Sequence, residues 1–286
     1  MGKLDGKVTV ITGGSHGLGL EIAKKFLDEG ARVVLASRSN EAVKEAVVIL
    51  NKGGGQNAAG IAVDVADIEQ VKNLLCFTLK TFGKLDIWVN NAGAAGPYGP
   101  TVALEPAAFY RVINTNIVGV YNGSRTAMVH FLAQKSGKLI NILGAGSEKP
   151  VPYQNAYGSS KMWIRAFTLA LAEETRASGV GVFAFNPGMV LTDLLTHVEV
   201  VGGYENRLKI FPKIVRMLAK PAEIPAQKAV WIASSATDGK TGLAYSLMTP
   251  WSFPMGAIRE MMRPKKKGDD DTLIKLRIIP PADDIH

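Results

Sequence analysis

Short runs rich in β-branched residues alternate with longer segments of helical periodicity along most of this chain. Seven of the short runs are predicted strands: KVTVIT, RVVLAS, GIAVDV, LDIWVN, KLINIL, VGVFAF and GLAYSLM. In the segments between them, apolar residues recur every three or four positions, which is typical of helices packed on one face. Strict alternation favours a parallel sheet, and the unbroken apolar character of VTVI and IWV indicates strands that are covered on both faces. The sequence therefore predicts an α/β fold with a seven-stranded, doubly wound parallel sheet and helices on both faces.

Two regions depart from this alternation. Residues 191–225 lie between the sixth and seventh predicted strands, and we expect them to form a helical excursion that covers a substrate site. From residue 257 onward, charge blocks and proline pairs replace the core pattern, so we predict a single domain over residues 1–256 and a C-terminal tail over residues 257–286. The apolar patch TLIKLRII in this tail is expected either to pack on a partner subunit or to belong to a partly disordered extension.

Composition narrows the class of protein. With 286 residues, 47% of them hydrophobic, the chain is long enough for one large core. The one cysteine, Cys76, rules out an internal disulfide and a cysteine metal cluster, so we predict no metal site and expect Cys76 to be a small core residue. No apolar run approaches the roughly 18 residues of a spanning helix, and the start MGKLDGKVTV lacks the apolar core of a secretory signal. We therefore predict a cytoplasmic protein without a transmembrane segment.

The net charge of +8 raises the question of an anionic partner. Lysine and arginine are scattered, and the one basic run is Lys265 to Lys267. A solvated basic surface that draws in an anionic cofactor is therefore favoured, and we predict no nucleic-acid partner. Binding of nucleic acid through the basic tail ranks last among the alternatives; it would weaken steeply with salt.

A glycine-rich loop follows the first predicted strand. The segment TGGSHGLG places Gly13, Gly17 and Gly19 between KVTVI and a helix that begins near Leu18. Glycines allow a tight turn and a close approach of the backbone to a pyrophosphate, and the helix N-terminus offers free N–H groups. Because the strand, the helix and the later parallel units supply the required context, the loop predicts a dinucleotide site in a Rossmann fold. The alternative is an ordinary glycine-rich turn.

The loop has the spacing TGxxxGxG, and other motifs follow in order. They are Asn90-Asn91-Ala92-Gly93, Asn116-Ile117-Val118-Gly119, Tyr157-Gly158-Ser159-Ser160-Lys161 and Pro187-Gly188. Together these motifs resemble the short-chain dehydrogenase/reductase family, classical type, over nearly the whole domain. The resemblance implies a nicotinamide cofactor, a small-molecule carbonyl or alcohol substrate, and a homo-oligomer, either dimer or tetramer.

The resemblance also implies which residues contact the cofactor. In this family, Asp64 and Val65 should border the adenine, Asn90 and Gly93 should line the cofactor, and Thr192 should hold its carboxamide. Asp64 and Thr192 could instead only cap turns. The full predicted cofactor set is Gly13, Ser15, His16, Gly17, Leu18, Gly19, Ser37, Arg38, Asp64, Val65, Asn91, Ala92, Gly93, Tyr157, Lys161, Pro187, Gly188, Val190 and Thr192.

The end of the second strand predicts which nicotinamide is used. NAD-preferring relatives carry an aspartate where this chain has Ser37, and Arg38 follows it. A guanidinium group pairs well with a 2′-phosphate, so the sequence predicts NADP(H). His16, inside the glycine loop, favours the same choice. The alternative is that Arg38 is a solvated loop charge.

Tyr157 and Lys161 form the predicted reaction centre. On a helix, residues four apart rise about 6 Å and share a face, so the two side chains can act together. We expect the positive charge of Lys161 to lower the pKa of the Tyr157 phenol enough for general acid/base catalysis. In the family the lysine also binds the cofactor ribose, and an asparagine, here Asn116, holds a water that relays protons.

The end of the fifth strand departs from the family pattern. A typical relative carries a serine there, which hydrogen-bonds the substrate oxygen, but this chain has Gly144 at that position. The polarising hydrogen bond must then come from Ser147, a backbone N–H group or another residue such as Asn155, or be absent. We predict Ser147 as the fourth catalytic residue beside Tyr157, Lys161 and Asn116.

Two segments, ILGAGSEKP and NPGMVLTDLL, are similar to those of the chlorophyll b reductase branch of the family, which uses NADPH to reduce a ring formyl group to hydroxymethyl. The leading hypothesis is an NADP(H)-dependent reductase of a bulky apolar aldehyde or ketone. Apolar contacts with the substrate are expected from Met189, Leu194, Leu195, Phe211 and Met217, although helix packing explains them equally well. The alternative, which Gly144 motivates, is a cofactor-binding regulator or scaffold that has lost catalysis.

Overall fold

The computed structural model describes residues 2–52, 54–262 and 273–282. The basic run Lys265 to Lys267 and the rest of residues 263–272 and 283–286 lie outside the described residues. Within the described residues, seven strands form one parallel sheet in the order β3-β2-β1-β4-β5-β6-β8. The strands are β1 (Val8–Thr12), β2 (Arg32–Ser37), β3 (Ala58–Ala62), β4 (Ile87–Asn90), β5 (Gly137–Ile142), β6 (Val180–Asn186) and β8 (Leu243–Ser246).

The predicted α/β fold is confirmed, and each predicted strand overlaps an observed one. The third strand begins two residues before the predicted GIAVDV and ends at Ala62. The helices are α1 (Gly17–Asp28), α2 (Asn40–Leu50), α3 (Ile68–Phe82), α4 (Pro106–Ile113), α5 (Gly119–Gln134), α6 (Asn155–Glu174), α7 (Asp193–Thr196), α8 (Phe211–Leu218), α9 (Glu223–Ala233) and α10 (Ser252–Met261).

The sheet has an apolar core on each face. Successive residues of a strand point to opposite faces, so Ile11 packs in the cluster with α1 and α9, whereas Val10 packs in the cluster with α3 and α5. Phe26 of α1 and Phe131 of α5 are fully buried in these two clusters. This two-sided burial explains why the strand sequences are apolar without alternation.

Residues 191–225 differ from the predicted helical excursion. They contain α7 and α8, but also strand β7 (His197–Val201). This strand pairs in parallel with β9 (Lys275–Ile279), from Val198 opposite Leu276 to Val200 opposite Ile278. The apolar patch of the predicted tail therefore pairs with its own chain, and the predicted boundary after residue 256 falls inside α10.

Two further features bear on the expectations from sequence. Cys76 is exposed on α3, so the expectation that it is a core residue was wrong. The order of the strands reverses between β1 and β4, whose carboxyl ends therefore diverge into helices on opposite faces. In open parallel sheets such a switch point leaves a crevice for a ligand.

Candidate active site

A cleft of about 480 Å³ opens at the carboxyl ends of the parallel strands. It is lined by the glycine loop, the ends of β2 and β4, the start of α6 and the segment that follows β6. Most of the predicted site residues line it: Gly13, His16, Gly17, Leu18, Ser37, Arg38, Asp64, Val65, Asn91, Ala92, Gly93, Tyr157, Lys161, Pro187, Gly188, Val190 and Thr192. Ser15, Gly19, Asn116 and Ser147 are not among its lining residues.

The glycine loop is shaped by close approaches of its backbone to neighbouring segments. Gly13 has φ of 62°, and an ideal Cβ on it would lie 2.8 Å from the Cα of Ala92. Gly17 has φ of 55°, and its Cβ would lie 3.2 Å from the Cγ2 of Thr192 on the opposite wall. Side chains would therefore strain the loop and fill the space between it and the cleft walls. The arrangement leaves room for a phosphate group at the start of α1.

Two successive asparagines at the end of β4 have different roles, and one of them holds the glycine loop. Asn91 donates from Nδ2 to the carbonyl oxygens of Thr12 and Gly13, each at 3.0 Å. Asn90 lies in the interior instead, where its Nδ2 donates to Asn141 Oδ1 at 2.8 Å. Asn91 thus faces the cleft, whereas Asn90, which was expected to line the cofactor, belongs to a buried polar network.

The end of β2 presents a positive group to the cleft. Arg38 is exposed and has no ion pair among the residues that the structure describes. His16 also lines the cleft, with Nδ1 3.0 Å from the hydroxyl of Ser15. Asp64 also lines the cleft, and its Oδ1 accepts a hydrogen bond from the backbone N–H of Ala66. This end of the cleft can therefore offer a guanidinium fork to an anion.

Tyr157 and Lys161 lie on one face of α6 and reach the inner wall of the cleft. The Lys161 Nζ is 5.5 Å from the centre of the Tyr157 ring and donates to the carbonyl oxygen of Ile142 at 3.1 Å. Lys161 is buried, with 4% of its surface exposed. The helical spacing therefore brings the two groups together in the manner predicted.

The pKa values of Tyr157 and Lys161 differ from the expectation based on the sequence. Loss of solvent on burial raises the pKa of Tyr157 to about 12 and lowers the pKa of Lys161 to about 8. The expectation that Lys161 lowers the pKa of the phenol was therefore wrong for the protein alone, because burial penalises both charged forms. At neutral pH the phenol is protonated and the lysine is mostly charged.

Asn116 lies in a π-helical turn, Asn114–Val118, between α4 and α5. Its Nδ2 donates to the carbonyl oxygen of Ala94 at 3.0 Å and to the hydroxyl of Ser160 at 2.9 Å, while its Oδ1 accepts from the N–H of Ala94 at 2.8 Å. The side chain therefore fastens the segment after β4 to α6. Such π-turns occur often at functional sites.

Gly144 borders the reaction centre directly. An ideal Cβ on it would overlap the Tyr157 hydroxyl and would lie 3.5 Å from the Cε of Lys161. The predicted substitutes for the missing serine lie elsewhere. Ser147 is buried and accepts a hydrogen bond from Asn186 Nδ2 at 3.4 Å, and Asn155 donates to the hydroxyl of Thr101 at 3.1 Å.

One cleft residue that sequence reasoning missed is Gln154. It directly precedes α6, three positions before Tyr157, and it lines the same cleft as Tyr157 and Lys161. Its side-chain amide has no hydrogen bond among the described residues. Tyr153, directly before it, has φ of 66°, and its ring contacts Tyr98 and Tyr204 at centroid distances of 5.5 and 5.8 Å. The spacing of three residues was the available signal.

The outer part of the cleft is apolar. Met189, Leu194, Leu195 and Phe211 line it as expected, whereas Met217 is buried elsewhere. Among the described residues, no group of three or more His, Cys, Asp or Glu side chains is placed to hold a metal ion. Over the same residues, no helix has both the length and the apolar character needed to cross a bilayer.

Residues 7–200 match the family model for the short chain dehydrogenases. A chloroplastic chlorophyll(ide) b reductase of Arabidopsis thaliana is 35% identical over 227 residues, which cover 77% of this chain and 63% of that protein. A probable chlorophyll(ide) b reductase of Oryza sativa subsp. japonica is 39% identical over 204 residues, 65% of this chain and 40% of that protein. The chain thus spans less than two thirds of the length of these reductases.

Other relatives are matched along most of their length. A 3beta-hydroxysteroid dehydrogenase of Eggerthella lenta is 35% identical over 241 residues, which cover 84% of this chain and 91% of that enzyme. A solved structure of a 3-ketoacyl-(acyl-carrier-protein) reductase of Brucella melitensis, complexed with NADH, superposes with a TM-score of 0.76 at 28% identity. It covers 85% of this chain and 97% of the reductase.

Proposed function

This chain belongs to the short chain dehydrogenase family, and on that premise we propose that it is an NADP(H)-dependent oxidoreductase that reduces the carbonyl group of a bulky apolar aldehyde or ketone. The observation that carries the proposal is the position of Tyr157 and Lys161, which close the inner end of the same cleft that the glycine loop lines. A cofactor and a substrate bound there would meet beside these two groups.

The residues present fit a nicotinamide dinucleotide. The loop glycines leave backbone N–H groups and open space at the start of α1, and Thr192 faces Gly17 across the cleft. The guanidinium of Arg38, which has no ion pair within the part of the chain that the structure describes, suits a 2′-phosphate, because the planar fork can donate two parallel hydrogen bonds to phosphate oxygens. This contact supports NADP(H) over NAD(H). When bound, the nicotinamide supplies the hydride.

The protonation states favour reduction of a carbonyl. A phenol with a pKa of about 12 holds its proton at neutral pH and can donate it to the oxygen on which negative charge develops. The Lys161 ammonium, charged below its pKa of about 8, stabilises the phenolate that remains. In this mechanism Tyr157 is the general acid, and the positive charge of Lys161 stabilises the phenolate. Asn116 positions the site, because it links Ala94, which follows β4, to Ser160 on the helix that carries both groups.

The carbonyl oxygen needs a second hydrogen-bond donor, and we assign this role to Gln154, whose amide lines the cleft. Gln154 directly precedes the helix that carries Tyr157, and its amide lines the cleft without a protein partner among the described residues. A donor preorganised for the developing oxyanion is worth about 3 kcal/mol. Ser147, which we predicted for this role, is buried against Asn186 and is less suited to it.

The apolar outer cleft and the similarity to chlorophyll(ide) b reductases support a substrate with a formyl group on a large apolar ring system. The proposal is tested by NADPH oxidation with a panel of aldehydes and ketones that includes formyl-bearing tetrapyrroles, with NADH run in parallel. Formation of the alcohol in equal amount to the NADPH consumed is the expected result. Absence of turnover on every carbonyl would refute the proposed activity.

A second candidate function is a regulator or scaffold that binds the cofactor without catalysis. The observation in its favour is Gly144, which provides no side-chain donor where a typical relative has serine. The same panel distinguishes the two functions, since tight NADPH binding without turnover is the behaviour of the regulator.

We further propose that the chain forms a homo-oligomer, a dimer or tetramer, and acts in the cytoplasm on a small molecule rather than on nucleic acid. The α5 helix supports self-association because Tyr121, Val129 and Leu132 are exposed along one of its sides. Sedimentation velocity tests the oligomeric state. Cell fractionation tests the location, with the chloroplastic reductases among its relatives as the contrasting case.

A further inference from the structure

An exposed apolar surface lies on α10, outside the cleft. Trp251, Met255, Ile258 and Met262 follow one another at spacings of four, three and four residues, so they lie on one side of the helix and its two flanking turns. Their exposed fractions are 71%, 60%, 50% and 72%. We call these four residues the α10 face. A contiguous apolar surface of this kind marks an interaction site more often than a solvated one.

The opposite side of α10 is fixed to α8. Gly256 is buried, and an ideal Cβ on it would lie 2.5 Å from the carbonyl oxygen of Met217. Arg216 of α8 donates from Nε to Glu260 Oε1 of α10 at 2.8 Å, and both side chains are mostly buried. Because close packing and this ion pair hold one side of α10 against α8, the α10 face points away from the protein body.

The α10 face adjoins the mouth of the cleft. Phe211, the first residue of α8, lines the cleft. On the other side, an ideal Cβ on Gly188 would lie 3.2 Å from the Cγ of Met248, which precedes Trp251 by three residues. The chain therefore runs from the cleft wall directly into the α10 face.

The neighbouring surface is positively charged. Besides Arg216, which is paired with Glu260, residues 205–218 contain three exposed cations, Arg207, Lys209 and Lys213, and one acidic residue, Glu205. Lys209 and Lys213 are exposed, and neither has an ion pair among the described residues. Exposed apolar side chains beside exposed positive charges are typical of a helix that lies in the interface of an anionic bilayer.

We propose that the α10 face docks on an anionic lipid surface. Its four apolar side chains enter the boundary between headgroups and acyl chains, while Lys209 and Lys213 contact the headgroups. A second copy of the chain fits less well, since a two-fold contact through α10 would bring the same cations of both copies together. The biological use rests on the proposed function: an apolar carbonyl compound dissolved in the bilayer would reach the cleft without crossing water.

Vesicle binding tests the surface without any measurement of catalysis. The full chain with NADPH is mixed with vesicles of phosphatidylcholine containing about a third phosphatidylglycerol, or with phosphatidylcholine alone, and sedimented. We expect the partition coefficient to be at least about tenfold higher on the anionic vesicles and to fall with added salt. The tryptophan fluorescence of the protein should shift to shorter emission wavelength on binding, because Trp251 enters the lipid. The Trp251→Phe variant should lose this shift.

A matched pair of double variants identifies the surface responsible. Met255→Glu with Ile258→Glu should lower the anionic-vesicle partition at least about tenfold. Val48→Glu with Ile49→Glu, which changes the charge equally on exposed apolar residues of α2, should leave it within about twofold. Equal losses from both pairs, or no preference for anionic vesicles, would overturn the proposal. If Met255→Glu with Ile258→Glu abolished self-association of the protein, a second copy of the chain would be the occupant of the α10 face, and the lipid proposal would be refuted.

The outcome is separable from that of the proposed function. Protein that binds vesicles but reduces no carbonyl refutes the activity and leaves the docking surface intact. Protein that reduces water-soluble aldehydes but ignores vesicles refutes the docking surface alone.

Discussion

Gly144 and the Tyr157 hydroxyl occupy adjoining space so tightly that any side chain at position 144 would collide with the phenol. Glycine at position 144 therefore has a structural role, because the Tyr157 hydroxyl occupies the space that a Cβ would take. A serine here could supply a hydrogen bond only if Tyr157 moved first.

Substitution at position 144 should consequently lower the rate of reduction. Gly144→Ala and Gly144→Ser both introduce a Cβ, and a misplacement of about 1 Å in the donor can cost roughly 100-fold in kcat. NADPH binding, followed by fluorescence titration, should change little. An increase in kcat for the serine variant alone would mean that the chain merely lacks the usual donor, contrary to this geometry.

The pKa of Lys161 predicts how reduction depends on pH. A lysine whose pKa is lowered to about 8 carries its charge below that pH and loses it above, while Tyr157 keeps its proton up to about pH 12. The kcat/KM for NADPH, which reports groups of the free enzyme, should therefore be flat below pH 8 and fall above it. In Lys161→Arg, whose charge persists, the fall near pH 8 should vanish. A fall that persists in Lys161→Arg would assign it to another group.

The choice of cofactor should depend on Arg38. Removing a charge-assisted phosphate contact costs about 2 kcal/mol, or roughly 30-fold in affinity. Arg38→Asp should accordingly raise the Kd for NADPH by at least that factor and leave the Kd for NADH unchanged or lower. Lys44→Asp, an equal charge change on α2 outside the cleft lining, is the control and should affect NADPH far less. Equal affinity of the unaltered protein for both cofactors would contradict the assignment.

The role of Gln154 is open to direct comparison with the other candidate donors. Gln154→Leu should lower kcat/KM for the carbonyl about 100-fold, as expected for loss of one oxyanion donor, with the NADPH affinity retained. Ser147→Ala and Asn155→Ala should each cost less than about threefold, because neither side chain lines the cleft. The reverse ranking, with Ser147→Ala the most damaging, would assign the donor role to Ser147, as the sequence predicts.

Local patterns predicted most of the sheet and the walls of the cleft. The apolar runs around Val10 and Val34 and the helical spacing of Tyr157 and Lys161 are short-range signals, and the structure places them where the pattern indicates. The pairing of β7 with β9 was missed because it joins residues nearly eighty positions apart and leaves no local signature. Strand pairing of that kind depends on tertiary packing rather than on propensity.

The features of the site that local patterns could not predict have the same physical origin. The effect of Lys161 on Tyr157 was judged from the spacing of their charges, but the depth of burial, which raises the phenol pKa, depends on the surrounding fold. Nearness in sequence to Gly144 predicts Ser147 as the donor, and its role stays a prediction; the contact of its buried hydroxyl with Asn186 could not be read from the sequence. Gln154 was overlooked although its spacing from Tyr157 was visible.

The central claim is that Tyr157 donates the proton to a carbonyl reduced by NADPH. Its most direct test compares the unaltered protein with Tyr157→Phe, using one aldehyde that the unaltered protein reduces and following NADPH oxidation together with NADPH affinity. The account predicts a loss of at least about 1,000-fold in kcat with the Kd for NADPH unchanged within about threefold. Turnover by Tyr157→Phe at a rate within about tenfold of the unaltered protein would contradict it.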